Sequence, residues 1–280
     1  MKTIQQQLDI PREEARILGF QTLEILKQGM YHSESGAEIN ISQEIENSKT
    51  RTITYFPEIE LPVSFKGNFQ TQFFVKNMTT LSAAKSLADN GDDPAILNMA
   101  SATSPGGGWL SGAKAQEEYL ARSTTLYATL QNNPMYQRQD FHANPFYDDY
   151  VIYSPDVVVF RDDDGELMEN FFFCSMLTSP AVQANAVRYY MPSREPEIAK
   201  VMEKRILKLL SIAHTHKHTA LVLGAWGCGA FGNDGNVIAG LFKNAFQENF
   251  PGVFNRVIFA ITDWSPENRF IGPFTKLENS

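Results

Sequence analysis

Apolar residues recur at helical spacing from the first stretch of the chain. Between residues 11 and 29, Ala15, Leu18, Leu23, Ile25 and Leu26 share one face, which predicts an amphipathic helix stopped at Gly29. Residues 30–50 are polar and turn-rich. Short β-like runs follow at 52–56 and 72–76. A helix is expected over 80–89, ended by Asn90 and Gly91, and the apolar run 94–100 is a strand buried on both faces. A glycine-rich loop then leads to a helix over about 115–130, and residues 131–150 are irregular and aromatic. Strands are expected at 157–160 and 171–176, joined by the acidic turn 161–166. A long helix over 195–213, a strand at 221–224, a second glycine-rich loop, a helix over 237–248 and a buried strand at 257–261 complete the pattern. Strands alternating with helices predict an α/β fold, a sheet with helices on both faces. The simplest organisation is a helical N-terminal extension, residues 1–50, packed on one domain, residues 51–280.

Charge narrows the function. Of 280 residues, 24 are Lys or Arg and 32 are Asp or Glu, a formal net charge of −8. That excludes general nucleic-acid binding through bulk electrostatics, but it allows a phosphate held locally by backbone N–H groups. The two cysteines, Cys174 and Cys228, are too few for a disulfide scaffold and fit a reducing compartment, so a cytoplasmic protein is expected. The segment MKTIQQQLDI has no apolar core, and no run approaches about 18 apolar residues, so neither a signal peptide nor a membrane span is expected.

The chemistry concentrates in two loops. In SPGGGWLSGAKAQEEYLARS, residues 104–123, the consecutive glycines Gly106, Gly107 and Gly108 follow a strand and precede a helix. Glycine there serves a positive φ or the close approach of a ligand, at the strand ends where open α/β sheets bind ligands. Glu117 and Glu118 open the helix about 100° apart, so they cannot do the same job. Either they only satisfy the helix terminus, or one of them faces a ligand. The second loop, LVLGAWGCGAFGNDGN, contains Gly227, Cys228, Gly229, Ala230, Phe231 and Gly232 as a formal G-x-G-x-x-G, followed by Asn233. Asp263 lies 31 residues beyond Gly232, against the usual spacing of about 20 for a ribose-binding acid. The loop is therefore expected to cradle a diphosphate without nicotinamide chemistry. Phe231 at its tip either fixes a ribose or packs in the core. His214, His216 and His218 alternate but are expected in a solvated turn, and Asp162 to Asp164 in a hairpin turn. Cys228 lacks a visible activating histidine, so a nucleophilic role is not expected.

The triple glycine followed by Gln116, Glu117 and Glu118 is similar to the signature of poly(ADP-ribose) glycohydrolases, and LNMASATSPGGGWLSGAKAQEEYLARSTTLY resembles their microbial-type branch. QTLEILKQGMY, YSPDVVVFRDDDG and GAWGCGAFGND extend the resemblance along nearly the whole chain. The resemblance implies a macrodomain-like mixed sheet between helices, binding ADP-ribose or poly(ADP-ribose) in a cleft at the strand ends. It implies hydrolysis of the ribose–ribose O-glycosidic bond without cofactor or metal, Glu118 being the acid–base and Glu117 holding ribose hydroxyls. By the same resemblance Gly106 to Gly108 and Gln116 line the substrate, Gly227 to Asn233 close over the diphosphate, and Asn98 is a partner of the ribose. A carboxyl sheltered beside diphosphate charge holds its proton more firmly, which suits it to protonate a leaving oxygen. No covalent intermediate is expected. Trp109 and Lys114 are placed to tune which acceptor is cleaved. A non-catalytic ADP-ribose reader and a hydrolase of mono-ADP-ribosyl linkages on protein or nucleic acid share these loops. A dinucleotide-dependent oxidoreductase would leave the Gly-Gly-Gly and Gln-Glu-Glu runs unexplained.

Overall fold

The computed structural model describes residues 3–138 and 144–278. Its elements run α1 (Ile4–Leu8), α2 (Arg12–Gln28), β1 (Met30–His32), β2 (Glu38–Asn40), α3 (Ser42–Arg51), β3 (Ile53–Tyr55), β4 (Gln72–Lys76), α4 (Thr80–Asp89) and β5 (Pro94–Met99). Then come α5 (Gln116–Ser123), α6 (Leu126–Leu130), α7 (Pro134–Arg138), β6 (Val151–Arg161), β7 (Leu167–Ser179), α8 (Ala184–Tyr190), α9 (Glu197–Thr215), β8 (Ala220–Leu223), α10 (Gly235–Asn244) and β9 (Arg256–Ala260).

Among the described residues seven strands form one mixed sheet in the order β3-β6-β7-β5-β8-β9-β4. β7, β5, β8, β9 and β4 run parallel to their neighbours, while β3, β6 and β7 pair antiparallel. Successive residues of the central strands face opposite layers. Leu97, Leu177, Leu221 and Phe259 join one core with α8, α9 and α10, whereas Ile96, Met176, Val222 and Ile258 join a second with α4, α5 and α6. Burial on both faces is why these strands read as unbroken apolar runs. A third, smaller cluster sets α2 and α3 on Val158 and Phe160 of β6. The expected mixed sheet between helices is therefore found.

Several expected boundaries shift. The helix expected over 115–130 is two helices, because Thr124 is extended (φ −144, ψ 170) and bridges Val159, while Thr125 N donates to Val158 O at 3.0 Å. The turn-rich stretch 30–50 holds the β1–β2 hairpin and α3, whose buried positions are only Ile45 and Ser48. β6 and β7 are far longer than the expected runs. They carry register shifts around Pro155 and Asp156, which break the alternation that reveals a strand. Part of the aromatic stretch 131–150, residues 139–143, lies outside the described residues. No helix of the described residues is long and apolar enough to cross a membrane.

Candidate active site

Strand β5 ends at Met99, and the chain loops through the triple glycine to a short turn, Trp109–Ser111, before α5. The first three side chains of α5 reach back to successive points of that path. Gln116 Oε1 accepts from Met99 N (3.0 Å), and its Nε2 donates to Leu97 O (2.8 Å). Glu117 Oε2 accepts from Ser101 N (2.6 Å), and Glu118 Oε1 accepts from Gly108 N (2.9 Å). Adjacent helical positions thus brace opposite ends of one loop. Gly107 sits at φ +62, where a Cβ would lie 2.2 Å from Glu118 Oε1 and 3.1 Å from Glu117 Oε2. The bare backbone at this glycine makes room for the chain's own carboxylates.

The carboxyl groups are sheltered, Glu117 at 3% and Glu118 at 9% exposure, and Asn98 on β5 is wholly buried. Glu117 Oε1, Glu118 Oε2 and Asn98 Oδ1 are buried without a hydrogen-bond partner. Asn98 spends its amide on Thr178 Oγ1 (3.2 Å). A buried acceptor left unpaired costs about 1–3 kcal/mol. Asn98 Oδ1 accepts, and a carboxyl oxygen accepts or, when protonated, donates, so groups that both donate and accept, such as hydroxyls, suit all three. Burial pushes Glu117 up to about 8, against the N–H of Ser101 and with the Glu118 charge adding to the rise. Glu117 therefore keeps its proton near neutral pH, and the sheltering expected at this site falls on that residue. One helical turn beyond Glu118, buried Arg122 donates to Ala113 O (2.6 Å), and its positive charge is felt by Glu118.

At Gln116, the residue before the two carboxylates, opens a cavity of about 330 Å³, whose lining includes neither Glu117, Glu118 and Asn98 nor the glycines 106–108. Its walls are Met99, Ala100 and Gln116 on one side, Gly227, Gly229, Ala230 and Phe231 on the other, and Ala260, Ile261 and Thr262 at the end of β9. The second glycine loop closes on itself: Asn233 N donates to Gly227 O (3.0 Å) and Asn233 Nδ2 to Val182 O (2.8 Å). Gly227 is left-handed, with Asn233 and Ala181 within 2.6 Å of where a Cβ would be. Cys228, Gly232 and Asn233 line a smaller cavity of about 250 Å³, which Gly229 shares. Phe231 is half-buried at the loop tip, its ring 6.3 Å from that of Tyr147.

Other candidates resolve differently from expectation. The histidines are not in a solvated turn. His218 is buried against Tyr153 OH (2.9 Å), His216 stacks on the Tyr153 ring at 3.6 Å, and His214 packs on Phe65. Alternation put them on one side, and aromatic neighbours from other segments buried that side. Among the described residues no group of three or more His, Cys, Asp or Glu is placed to hold a metal ion. Burial pushes the Cys228 thiol up to about 12, which suppresses the thiolate. Trp109 is buried against Tyr127 and does not line the cavity, whereas Lys114 lines it and pairs with Asp9 at 2.6 Å. Asp263 accepts from the N–H groups of Ser265, Phe270 and Ile271 and so shapes its own loop. Asp163 in the acidic hairpin turn accepts from Tyr119, Thr79 and Ser82. Sequence reasoning missed Arg122, although its four-residue spacing from Glu118 was available as a signal. It also missed Leu8, Thr80, Trp264 and Phe270 on the cavity wall, which no local motif links to the glycine loops.

The family model for the microbial-type PARG catalytic domain matches residues 20–162. Among solved structures, a poly(ADP-ribose) glycohydrolase from Thermomonospora curvata bound to the inhibitor ADP-HPD is 39% identical. The match covers 95% of this chain and 99% of that one, with a TM-score of 0.87. A poly(ADP-ribose) glycohydrolase from Deinococcus radiodurans in complex with ADP-ribose is 35% identical over 83% of this chain and 96% of that one, with a TM-score of 0.78. A search of curated proteins returned no match.

Proposed function

The chain belongs to the microbial-type poly(ADP-ribose) glycohydrolase family, and we propose that it hydrolyses the ribose–ribose O-glycosidic bond of poly(ADP-ribose) with Glu118 as acid–base. The observation that carries this reading is the trio of buried oxygens without a partner, Asn98 Oδ1, Glu117 Oε1 and Glu118 Oε2, at the start of the helix whose Gln116 lines the cavity. Ribose hydroxyls both donate and accept, which suits such a trio. Protonated Glu117 can give one hydrogen bond and accept another, which suits a vicinal diol.

Glu118 donates its proton to the leaving 2′ oxygen as the glycosidic C–O bond breaks, through an oxocarbenium-like transition state. Water then attacks the anomeric carbon, and Glu118 takes up the proton that the water releases. Glu118 carries the negative charge between these steps, with the Arg122 guanidinium one helical turn along α5. Gly227, Gly229 and Ala230 would hold the diphosphate through backbone N–H groups, and Phe231 would fix the terminal ribose. Gln116, with both ends of its amide spent on β5, supports the substrate wall rather than reading it. Residues 1–50 form an extension that braces the catalytic unit, residues 51–280. Substrate is recognised by these local contacts and not by bulk charge.

The test is binding and turnover measured together. Glu118→Gln should bind ADP-ribose within a fewfold of wild type and release no ADP-ribose from the polymer. Equal release by the two proteins would remove Glu118 from the chemistry.

A further inference from the structure

Tyr147 holds φ +57, a left-handed conformation that a bulky side chain rarely adopts. It is also 7% exposed, so no solvent-facing turn explains it. The conformation is imposed from below by Arg205 of α9, which is itself 0% exposed. That guanidinium donates to Phe146 O (2.6 Å), Tyr147 O (3.0 Å), Pro180 O (3.0 Å) and the Asp149 carboxylate (2.9 Å). One buried cation therefore gathers the 146–149 segment and Pro180 into a fixed arrangement. Pro180 leads directly to Ala181, which lies against Gly227 and lines the main cavity. The ring that the strained backbone delivers stands 6.3 Å from Phe231, tilted 44° to it.

Strain held by an over-determined surround, with its product aimed at a functional loop, calls for a role beyond packing. We propose that Tyr147 is a positioning residue that sets the pose of Phe231 and, through it, the terminal ribose over Glu118. This rests on the reading of Phe231 as the residue that fixes that ribose. Arg205 supplies the clamp, Tyr147 the stop, and Phe231 the contact with substrate. Without the stop the aromatic tip can swing, and the anomeric carbon loses its alignment with the acid. Sub-ångström placement of this kind governs rate far more than binding.

The experiment is a double-mutant cycle on polymer hydrolysis. Asn tolerates the left-handed conformation, so Tyr147→Asn removes the ring without disturbing the backbone. It should lower Tm through the lost ring packing and, at a temperature where the variant is fully folded, lower kcat about tenfold with KM moving much less. Tyr147→Phe keeps the ring and should restore the wild-type rate. Phe231→Ala should be slow, and the double variant no slower than Phe231→Ala alone, because both act through one contact. If Tyr147→Asn does not fold, Tyr147→Gly, which adopts the same φ freely, takes its place. A wild-type kcat for Tyr147→Asn beside a slow Phe231→Ala overturns the proposal and leaves the Phe231 reading standing. Losses that multiply in the double variant also overturn it. A wild-type rate for Phe231→Ala removes the Phe231 reading and the proposal with it.

Discussion

A methyl group at position 107 would occupy the space of a Glu118 oxygen, so Gly107→Ala tests the carboxylate pair from the backbone side. The side chain must displace Glu118 and adopt φ +62. The variant should lose about 1–3 kcal/mol of stability and at least about tenfold in ADP-ribose release. Thermal melts and initial rates would check this, and a wild-type rate would show that the glycine serves something else. Glu117 gives a pH signature. Its folded value stands near 8 against an ordinary 4.5, so the stability tied to its proton is fully present below pH 4.5 and is lost as pH rises through about 8. Wild-type Tm should fall across that window relative to Glu117→Gln, and parallel Tm profiles would contradict the buried, proton-bearing carboxyl. The two carboxylates, the glycines and the separate directions of Glu117 and Glu118 were legible in the sequence, because helix geometry alone separates adjacent side chains. Which carboxyl is more deeply sheltered was not legible. That depends on how deeply each carboxyl is buried once α5 packs against the end of β5, which no spacing encodes.

At the scale of elements, α5 carries the carboxylates proposed for the chemistry and α2 holds α5. Thr22 Oγ1 of α2 donates to Arg122 O at 2.5 Å, and Arg161 Nε donates to the same carbonyl at 3.2 Å. Gly19 of α2 packs against the backbone of Trp109, in the turn that precedes α5. Thr22→Val should cost about 1 kcal/mol and slow hydrolysis only a fewfold, because Arg161 still satisfies the carbonyl. Chemical denaturation beside initial rates would measure both. A loss as large as that of Glu118→Gln would mean that α2 does more than support. Helices with a wide apolar face, α2, α4 and α9, were legible in the sequence, as were the strands buried on both faces. The break at Thr124 and Thr125 was not, because it is made by strand β6 passing alongside. Helix α3 escaped because Ile45 and Ser48 alone are buried along it, and Pro155 hid the length of β6.

For the whole molecule, two covered faces leave the strand ends as the place where a ligand can enter, and both glycine loops meet there. A net charge of −8 offers no field to gather a polyanion. Polymer turnover should therefore depend only weakly on salt, with KM rising less than about threefold between 50 and 200 mM NaCl. A fall in affinity of several hundredfold would reveal a phosphate-tracking surface instead. The fold and the first glycine loop were carried by local sequence, whereas the cavity wall, with Leu8, Thr80 and Phe270 from distant segments, exists only once the chain has closed. The most direct test is ADP-ribose release from poly(ADP-ribose) by wild type and Glu118→Gln, each with and without EDTA. The account predicts release by wild type that persists in EDTA and is at least about a hundredfold slower in the variant. Release that EDTA abolishes, or that Glu118→Gln sustains, would contradict a metal-independent hydrolysis driven by Glu118.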